Sequence, residues 1–290
     1  MKDTIEKKDI IEKKDTIEKK DGFTIHHGTY SDRIYVMSYN PSETKKMLDY
    51  VRKLGEDKAY GKIIIKAREA DRVLLLDAGF TKEGEIEGYY KGTNPCLFMA
   101  KYLKPDRRGV RKKAKILDGI DKAKEKKTNL DGFEWPDYTF RSLGEEDIKQ
   151  MIKVYEEVFQ SYPFPIYDPN YIKKTMMEDC QYFGVFDQDS LIGLSTCEIN
   201  HKEKNVEMTD FAVLPTYRGH KLAKALLIIM EKAMVEQGIS THYTIARSQS
   251  LPMNMTFSSL GYHYGGTLWN NTQIAGNIES MNIWVKQIIE

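Results

Sequence analysis

Val213-Leu-Pro-Thr-Tyr-Arg-Gly-His-Lys-Leu-Ala223 decides how this chain is read. The apolar run Phe211-Ala-Val-Leu214 has the composition of a buried strand and passes through Pro215 into a tight turn. That turn opens directly into an amphipathic stretch over 221–237, closed by Gly238. Backbone amides of such a turn converge at a helix N-terminus, where unpaired N–H groups and the helix dipole attract an anion. An enzyme that holds a pyrophosphate without reading a base needs this arrangement. One glycine alone would suit an ordinary strand–helix turn; the whole passage asks for more.

Upstream of the turn, Thr139–Ser142 reads as a strand. Glu145–Gln160 reads as a helix with Ile148, Met151, Ile152, Tyr155 and Phe159 on one face. A proline-broken loop, Tyr162-Pro-Phe-Pro-Ile-Tyr-Asp-Pro169, and a short helix from Tyr171 follow. Gln181–Asp187 and Leu191–Ile199 make a hairpin, and Asn205–Leu214 is the strand feeding the turn. Downstream come a strand at Thr241–Ala246, a helix at Met253–Leu260 and closing strands at His263–Leu268 and Ser280–Lys286. Residues 135–290 are therefore expected to be one α/β domain with a mixed sheet.

Residues 105–134 shift to Lys, Arg and Asp and read as a charged, solvated linker helix. Residues 22–104 contain strands at Arg33–Ser38 and Lys62–Lys66, helices at Pro41–Leu54 and Ala67–Asp77, and a hairpin turning at Gly92-Thr-Asn-Pro95. Lys62–Arg68, Asp77-Ala-Gly79-Phe80 and Leu97–Lys101 imitate Tyr243–Arg247, Leu260-Gly-Tyr262 and Met281–Lys286. The first half thus reads as a partial copy of the back of the second, without its anion-binding turn. It is expected to pack on the second half or to form a homodimer interface. Residues 1–21 carry three copies of a six-residue Asp-x-Ile-Glu-Lys-Lys repeat. A period of six matches no helical stripe, so a disordered, charged tail is expected.

The bulk numbers exclude several classes. With 44 basic and 43 acidic side chains in 290 residues the net charge is +1, not the basic surplus of a nucleic-acid binder. No apolar run approaches the ~20 residues that span a bilayer, and the Lys/Glu-rich start is unlike a secretory signal. Cys96, Cys180 and Cys197 are odd in number and widely spaced, which suggests reduced thiols in a cytoplasm and no metal site. His26-His27 has no third ligand nearby in sequence and reads as surface.

Arg218, Gly219 and Ala223 resemble the Arg/Gln-x-x-Gly-x-Gly/Ala signature of the Gcn5-related N-acetyltransferase (GNAT) superfamily, with Lys221 standing at the central glycine. The first half is then a degenerate GNAT-like domain. Within that superfamily the chain resembles the β-lysine N-acetyltransferases. The residues that carry this are Tyr162–Ile166, Glu207-Met-Thr-Asp-Phe-Ala212, Met253-Asn254 with Phe257, Leu260–Tyr262, Asn270–Gly276 and Glu279–Trp284. The resemblance covers most of residues 22–287. It implies two strands that splay to admit acetyl-CoA, with the pantetheine arm along Phe211, Ala212 and Val213. The pyrophosphate would lie on Arg218, Gly219, His220, Lys221, Leu222 and Ala223, and Asn254 and Phe257 complete the expected cofactor contacts. Further implications are transfer to the ε-amine of β-lysine, a compatible solute of osmoadaptation as product, and a lysine 2,3-aminomutase upstream.

Acyl transfer to a lysine-type amine needs a neutral nucleophile. With a pKa of ~10.4, about one amine in a thousand is neutral near pH 7.4, a handicap of ~4 kcal/mol. Glu207 and Asp210 are the candidate bases or clamps on the substrate's cationic groups. By strand periodicity Asp210 should share a face with Met208 and Ala212, an odd place for a lone charge. The superfamily's usual tyrosine acid falls at Phe257, which cannot donate; Tyr262, His263 or Tyr264 could substitute, and a thiolate with pKa near ~8.5 can leave with little help. Arg247 is the candidate for the substrate carboxylate, while Asn271, Glu279 and Asn282, with Asn270, suggest a polar wall. Tyr162 and Phe164 belong to a stiff aromatic lid. Another amine, or a CoA-binding regulatory module without catalysis, are the competing readings.

Overall fold

The computed structural model describes residues 15–125, 134–274 and 276–288. The amino-terminal half contains β1 (Thr16–Lys20), β2 (Phe23–Gly28), β3 (Arg33–Tyr39), α1 (Thr44–Asp57), β4 (Lys62–Arg68), α2 (Arg72–Asp77), β5 (Thr81–Tyr90) and β6 (Asn94–Tyr102). Two connecting helices follow, α3 (Pro105–Arg108) and α4 (Lys113–Glu125). The carboxy-terminal half contains β7 (Thr139–Ser142), α5 (Ile148–Val158), α6 (Pro169–Met177), β8 (Cys180–Asp187), β9 (Ser190–Asn200) and β10 (Asn205–Val213). It finishes with α7 (Leu222–Glu236), β11 (Thr241–Arg247), α8 (Leu251–Ser259), β12 (His263–Ile274) and β13 (Asn277–Gln287).

These strands form a single mixed sheet in the order β1-β2-β3-β4-β6-β5-β12-β13-β11-β10-β9-β8-β7. Each half repeats one plan. A parallel pair (β3 with β4, β10 with β11) is joined by a crossover helix, and a final hairpin (β5–β6, β12–β13) lays its second strand antiparallel on the pair. Apolar spacing explains both crossover helices. Met47, Leu48 and Val51 of α1 bury against Ile34, Val36, Ile63 and Ile65. Leu222, Leu226, Met230 and Met234 of α7 bury against Val185, Ile192, Val206 and Met208. At ~2 kcal/mol for each fully buried aliphatic side chain, these faces hold the helices to the sheet.

The halves meet edge to edge at a single register point, Gly84 opposite Gly266. A Cβ on Gly266, whose φ is +134°, would lie 2.4 Å from the Glu83 carbonyl oxygen, so only glycine admits the join. Beside it, Lys62 Nζ donates to Glu83 at 2.6 Å and to the Trp269 carbonyl at 2.7 Å, with Lys62 fully buried. The sheet also curls. Five strand spacings separate β4 from β11, roughly 24 Å if flat, yet Lys66 Nζ lies 5.9 Å from the Tyr243 ring centre. Right-handed twist accumulated over the sheet brings the two faces together.

Several expectations need correction. The third repeat copy is not a frayed tail: β1 pairs along β2, Asp15 accepts the Tyr30 and Ser31 amides, and Glu18 accepts the Tyr50 hydroxyl. Strand pairing supplies the order that a helical stripe could not; residues 1–14 lie outside the described residues. His26 is not a surface residue but buried on β2, stacked on Phe164 at 5.4 Å. Arg107, read as part of a solvated linker, is buried and donates to the Ser31 carbonyl. α4 seats Ile116, Ile120 and Ala123, so this charged segment buries one narrow stripe; residues 126–133 lie outside the described residues.

Candidate active site

β10 and β11 pair only at Asn205–Thr241, Val206–His242 and Glu207–Tyr243. Beyond that point they separate. A one-residue bulge in β10 shifts the register between Thr209 and Ala212, and Asp210 occupies it at φ +56°. β10 stays paired with β9 on its other edge, so the backbone edge of residues 211–213 faces the edge of 244–247 across a gap. That gap is a cleft of about 950 Å³. Asp210, Phe211, Val213, Ala246, Arg247 and Phe257 line it, with Arg218, Gly219 and Lys221 at its mouth. Two unpaired strand edges are the arrangement that takes up an extended amide-bearing chain such as a pantetheine arm.

The mouth is built for an anion. Residues 218–221 are exposed, and among the described residues no backbone carbonyl accepts from the amides of Gly219, His220, Leu222 and Ala223. Lys221 caps α7 at φ 58°, ψ 24°, a left-handed conformation that glycine adopts more easily than any other residue. The lysine therefore keeps the glycine geometry at a cost of ~1 kcal/mol and adds a cation to the loop. The His220 carbonyl accepts the Trp135 indole N–H at 3.0 Å, and its ring hydrogen-bonds the Tyr138 hydroxyl at 3.2 Å. His220 thus braces the loop from outside.

Behind Asp210, the carboxylate that lines the cleft, Glu207 and Glu198 stand within electrostatic reach of it. Glu207 is the direct cross-strand partner of Glu198 on β9, and Asp210 follows at the bulge. The Tyr162 hydroxyl donates to Asp210, tying the proline-rich loop to the floor of the cleft. Burial pushes the Asp210 carboxyl above the usual carboxylate range, against donation from Tyr162, Thr209 and Thr196. Burial and the Asp210 charge also raise Glu207, opposed by Lys66. Surrounding protein, with Glu207 and Asp210, pushes Glu198 up to about 8 although its side chain still reaches solvent. Lys66, within electrostatic reach of Glu207 but not among the cleft-lining residues, stands among Tyr35, Tyr89 and Tyr243, 5.7–5.9 Å from each ring centre.

The acetyltransferase (GNAT) family model matches residues 148–262. A β-lysine N(6)-acetyltransferase of Methanococcus maripaludis is 38% identical over 256 residues, covering 88% of this chain and 93% of that protein. The chain belongs to the GNAT acetyltransferase family. The N-acetyltransferase YodP of Bacillus subtilis is 36% identical over 91% of this chain and 95% of that one. A β-lysine N(6)-acetyltransferase of Methanosarcina mazei is 31% identical over 79% of this chain and 92% of that one.

Within this GNAT site the bulge changes the expected face of Asp210. Met208 packs under α7 while Ala212 packs under α5, so the extra residue moves Asp210 away from Met208. Ala212 buries its methyl there and is not among the cleft-lining residues. Asn254 is not a cofactor contact. It is buried, donates to the Arg247 and Ser250 carbonyls, and accepts from Asn282 Nδ2 and Trp284 Nε1, which exhausts its hydrogen-bonding capacity. Asn282 also accepts the Thr267 hydroxyl and is a core polar link, not a pocket wall. Asn271 is buried with its carbonyl on Arg33, outside the cleft. Phe164 rests on His26, also away from the cleft lining.

Arg247 does line the cleft, but Glu279 already takes it in a two-point fork at 2.8 and 2.7 Å. Tyr262 is buried edge-on against Phe257, and Tyr264 bonds Thr267, so neither lines the cleft; His263 is exposed and outside it. Of the tyrosines named here, Tyr162 serves Asp210 and Tyr243 serves Glu207. Sequence reasoning missed Glu198 and Lys66. Each carried a signal: a single charge inside an otherwise uncharged run, Leu191–Ile199 and Ile63–Ala67.

Proposed function

We propose that the protein transfers acetyl from acetyl-CoA to the terminal amine of β-lysine in one ternary complex. The observation that carries this reading is the Tyr162–Asp210 pair at the point where β10 and β11 part, with Glu207 and Glu198 behind it. A cationic diamine finds three carboxylates there. The neutral amine nitrogen bonds to the thioester carbon, the carbon–sulfur bond breaks, and the CoA sulfur leaves as thiolate. Asp210 or Glu207, directly or through one water, takes the proton the ammonium must lose before attack, and the second proton, shed by the nitrogen as the carbon–sulfur bond breaks, passes to the departing thiolate or to solvent. The loop amides, Arg218 and Lys221 hold the pyrophosphate, and residues 211–213 pair with the pantetheine amides. The choice of β-lysine draws support from the names of the two archaeal relatives.

On this reading the enzyme is a cytoplasmic producer of a zwitterionic compatible solute. A reaction that moves an α-amino group to the β position, as a lysine 2,3-aminomutase does, must supply its substrate. Purified protein with acetyl-CoA and a panel of amines, followed by mass spectrometry, tests it. A single acetyl on the ε-nitrogen of β-lysine is expected. Preference for spermidine or α-lysine rejects the acceptor, and absence of thiol release with every amine rejects catalysis.

A further inference from the structure

We propose that Lys66, contributed by the amino-terminal half, binds the carboxylate of the diamino-acid acceptor and makes the enzyme choose a zwitterion over a plain diamine. This rests on the acceptor reading above. On β4, Ile63, Ile65 and Ala67 point into the amino-terminal core, which sends Lys66 to the opposite face with Ile64. That face meets the carboxy-terminal half across the curled sheet. There the rings of Tyr35, Tyr89 and Tyr243 surround the ammonium on three sides, a setting that favours a cation and fixes its position.

Lys66 differs from two other cations of the structure, Lys62 and Arg247. Lys62 sits 2.6 Å from Glu83, and Arg247 is locked on Glu279 at 2.7 Å. No carboxylate of the described residues lies within 4.0 Å of Lys66 Nζ. Burial opposes the charged ammonium, and the surrounding tyrosine oxygens with Glu207 push its pKa up against that cost. The inner face of the curled sheet therefore sets a tyrosine-ringed cation within electrostatic reach of Glu207 and Glu198. A diamino acid presents the matching pattern, with ammonium groups toward Glu198, Glu207 and Asp210 and a carboxylate toward Lys66. A diamine lacking the carboxylate gains nothing from Lys66 and is repelled by it.

The test compares wild type, Lys66→Met and Lys66→Arg in the full chain, with β-lysine and with pentane-1,4-diamine, the same skeleton without its carboxylate. A hydrogen-bonded charge pair is worth about ten- to hundredfold in affinity. Lys66→Met should raise KM for β-lysine by about that factor, leave kcat within about threefold, and leave KM for the diamine equal or lower. Lys66→Arg should recover part of the loss for β-lysine alone. Equal losses on both acceptors, or a fall in kcat with a shifted pH profile, would assign Lys66 to tuning Glu207 and overturn the proposal. Should Lys66→Met fail to fold, the arginine variant decides it: a KM change common to both acceptors refutes carboxylate binding. If wild type ignores the carboxylate altogether, the β-lysine reading fails; if wild type prefers it and Lys66→Met keeps that preference, only the Lys66 assignment fails.

Discussion

Asp210 accepts a hydrogen bond from the hydroxyl of Tyr162, 48 residues earlier in the chain. The contact joins the loop over the cleft to the bulge where the two central strands part. Asp210 can reach it because the bulge places a left-handed residue there, a conformation that aspartate tolerates better than most side chains. One contact thus couples closure of the loop to the position of the candidate base.

Asp210→Asn keeps the shape and removes the charge. It is expected to lower kcat/KM by about 10²–10⁴, the usual contribution of a positioned base or charge clamp. Steady-state kinetics with β-lysine, alongside acetyl-CoA binding by calorimetry, checks this. Loss of acetyl-CoA binding instead of turnover would count against the role.

The raised carboxyls predict opposite pH trends for activity and stability. The groups act as ions, so kcat/KM should climb as they deprotonate, with a limb extending toward about 8 where Glu198 stands. The three titrate as one coupled unit, so the limb is broad. Between the ordinary carboxylate pKa of ~4.3 and that value the folded chain holds its proton more tightly than the unfolded chain. Stability contributed by this cluster is therefore present at low pH and declines as pH rises through the window. Glu198→Gln should flatten both trends, measured by pH–rate profiles and by melting temperature from pH 5 to 8.5.

Lys221→Gly should separate strain from ligand contact. Relief of the left-handed backbone is expected to stabilise the fold by about 1 kcal/mol, visible as a rise in Tm. Loss of the ammonium should raise KM for acetyl-CoA several-fold with little change in KM for the amine. A drop in Tm would contradict the strain argument.

Glu83→Gln attacks the seam between the halves. It leaves the fully buried Lys62 ammonium without its anionic partner, and burial already lowers that group to about 8. A loss of about 3–5 kcal/mol is expected, read by denaturant titration. Activity should fall with it, because the half that carries Lys66 is held to the cleft there.

Much of the carboxy-terminal half was readable from the chain. The strand at Thr139–Ser142 has those bounds in the fold, and the helix after Arg218-Gly219 begins at Leu222, one residue from expectation. Period-2 and period-3.6 patterns and glycine stops are local signals, so they survive in one dimension. β2 was not readable, since Phe23-Thr-Ile-His-His-Gly28 looks like a polar surface run until its partners bury it. The polar wall at 271–282 was misread for a related reason. Buried asparagines that serve one another look, in sequence, the same as asparagines that serve a ligand.

The sequence alone determined the turn at Arg218–Ala223, the family and the order of elements in the carboxy-terminal half, because each rests on neighbouring residues whose conformations are set locally. Only the tertiary structure decided which charges meet. The bulge that turns Asp210, the strand pairing that sets Glu198 beside Glu207, and the curl that carries Lys66 to Tyr243 all depend on register and twist summed over many strands. Those quantities are properties of the packed sheet and of no single stretch of chain. On the proposed reading the turn at Arg218–Ala223 receives the cofactor, and the curled sheet determines what stands opposite it.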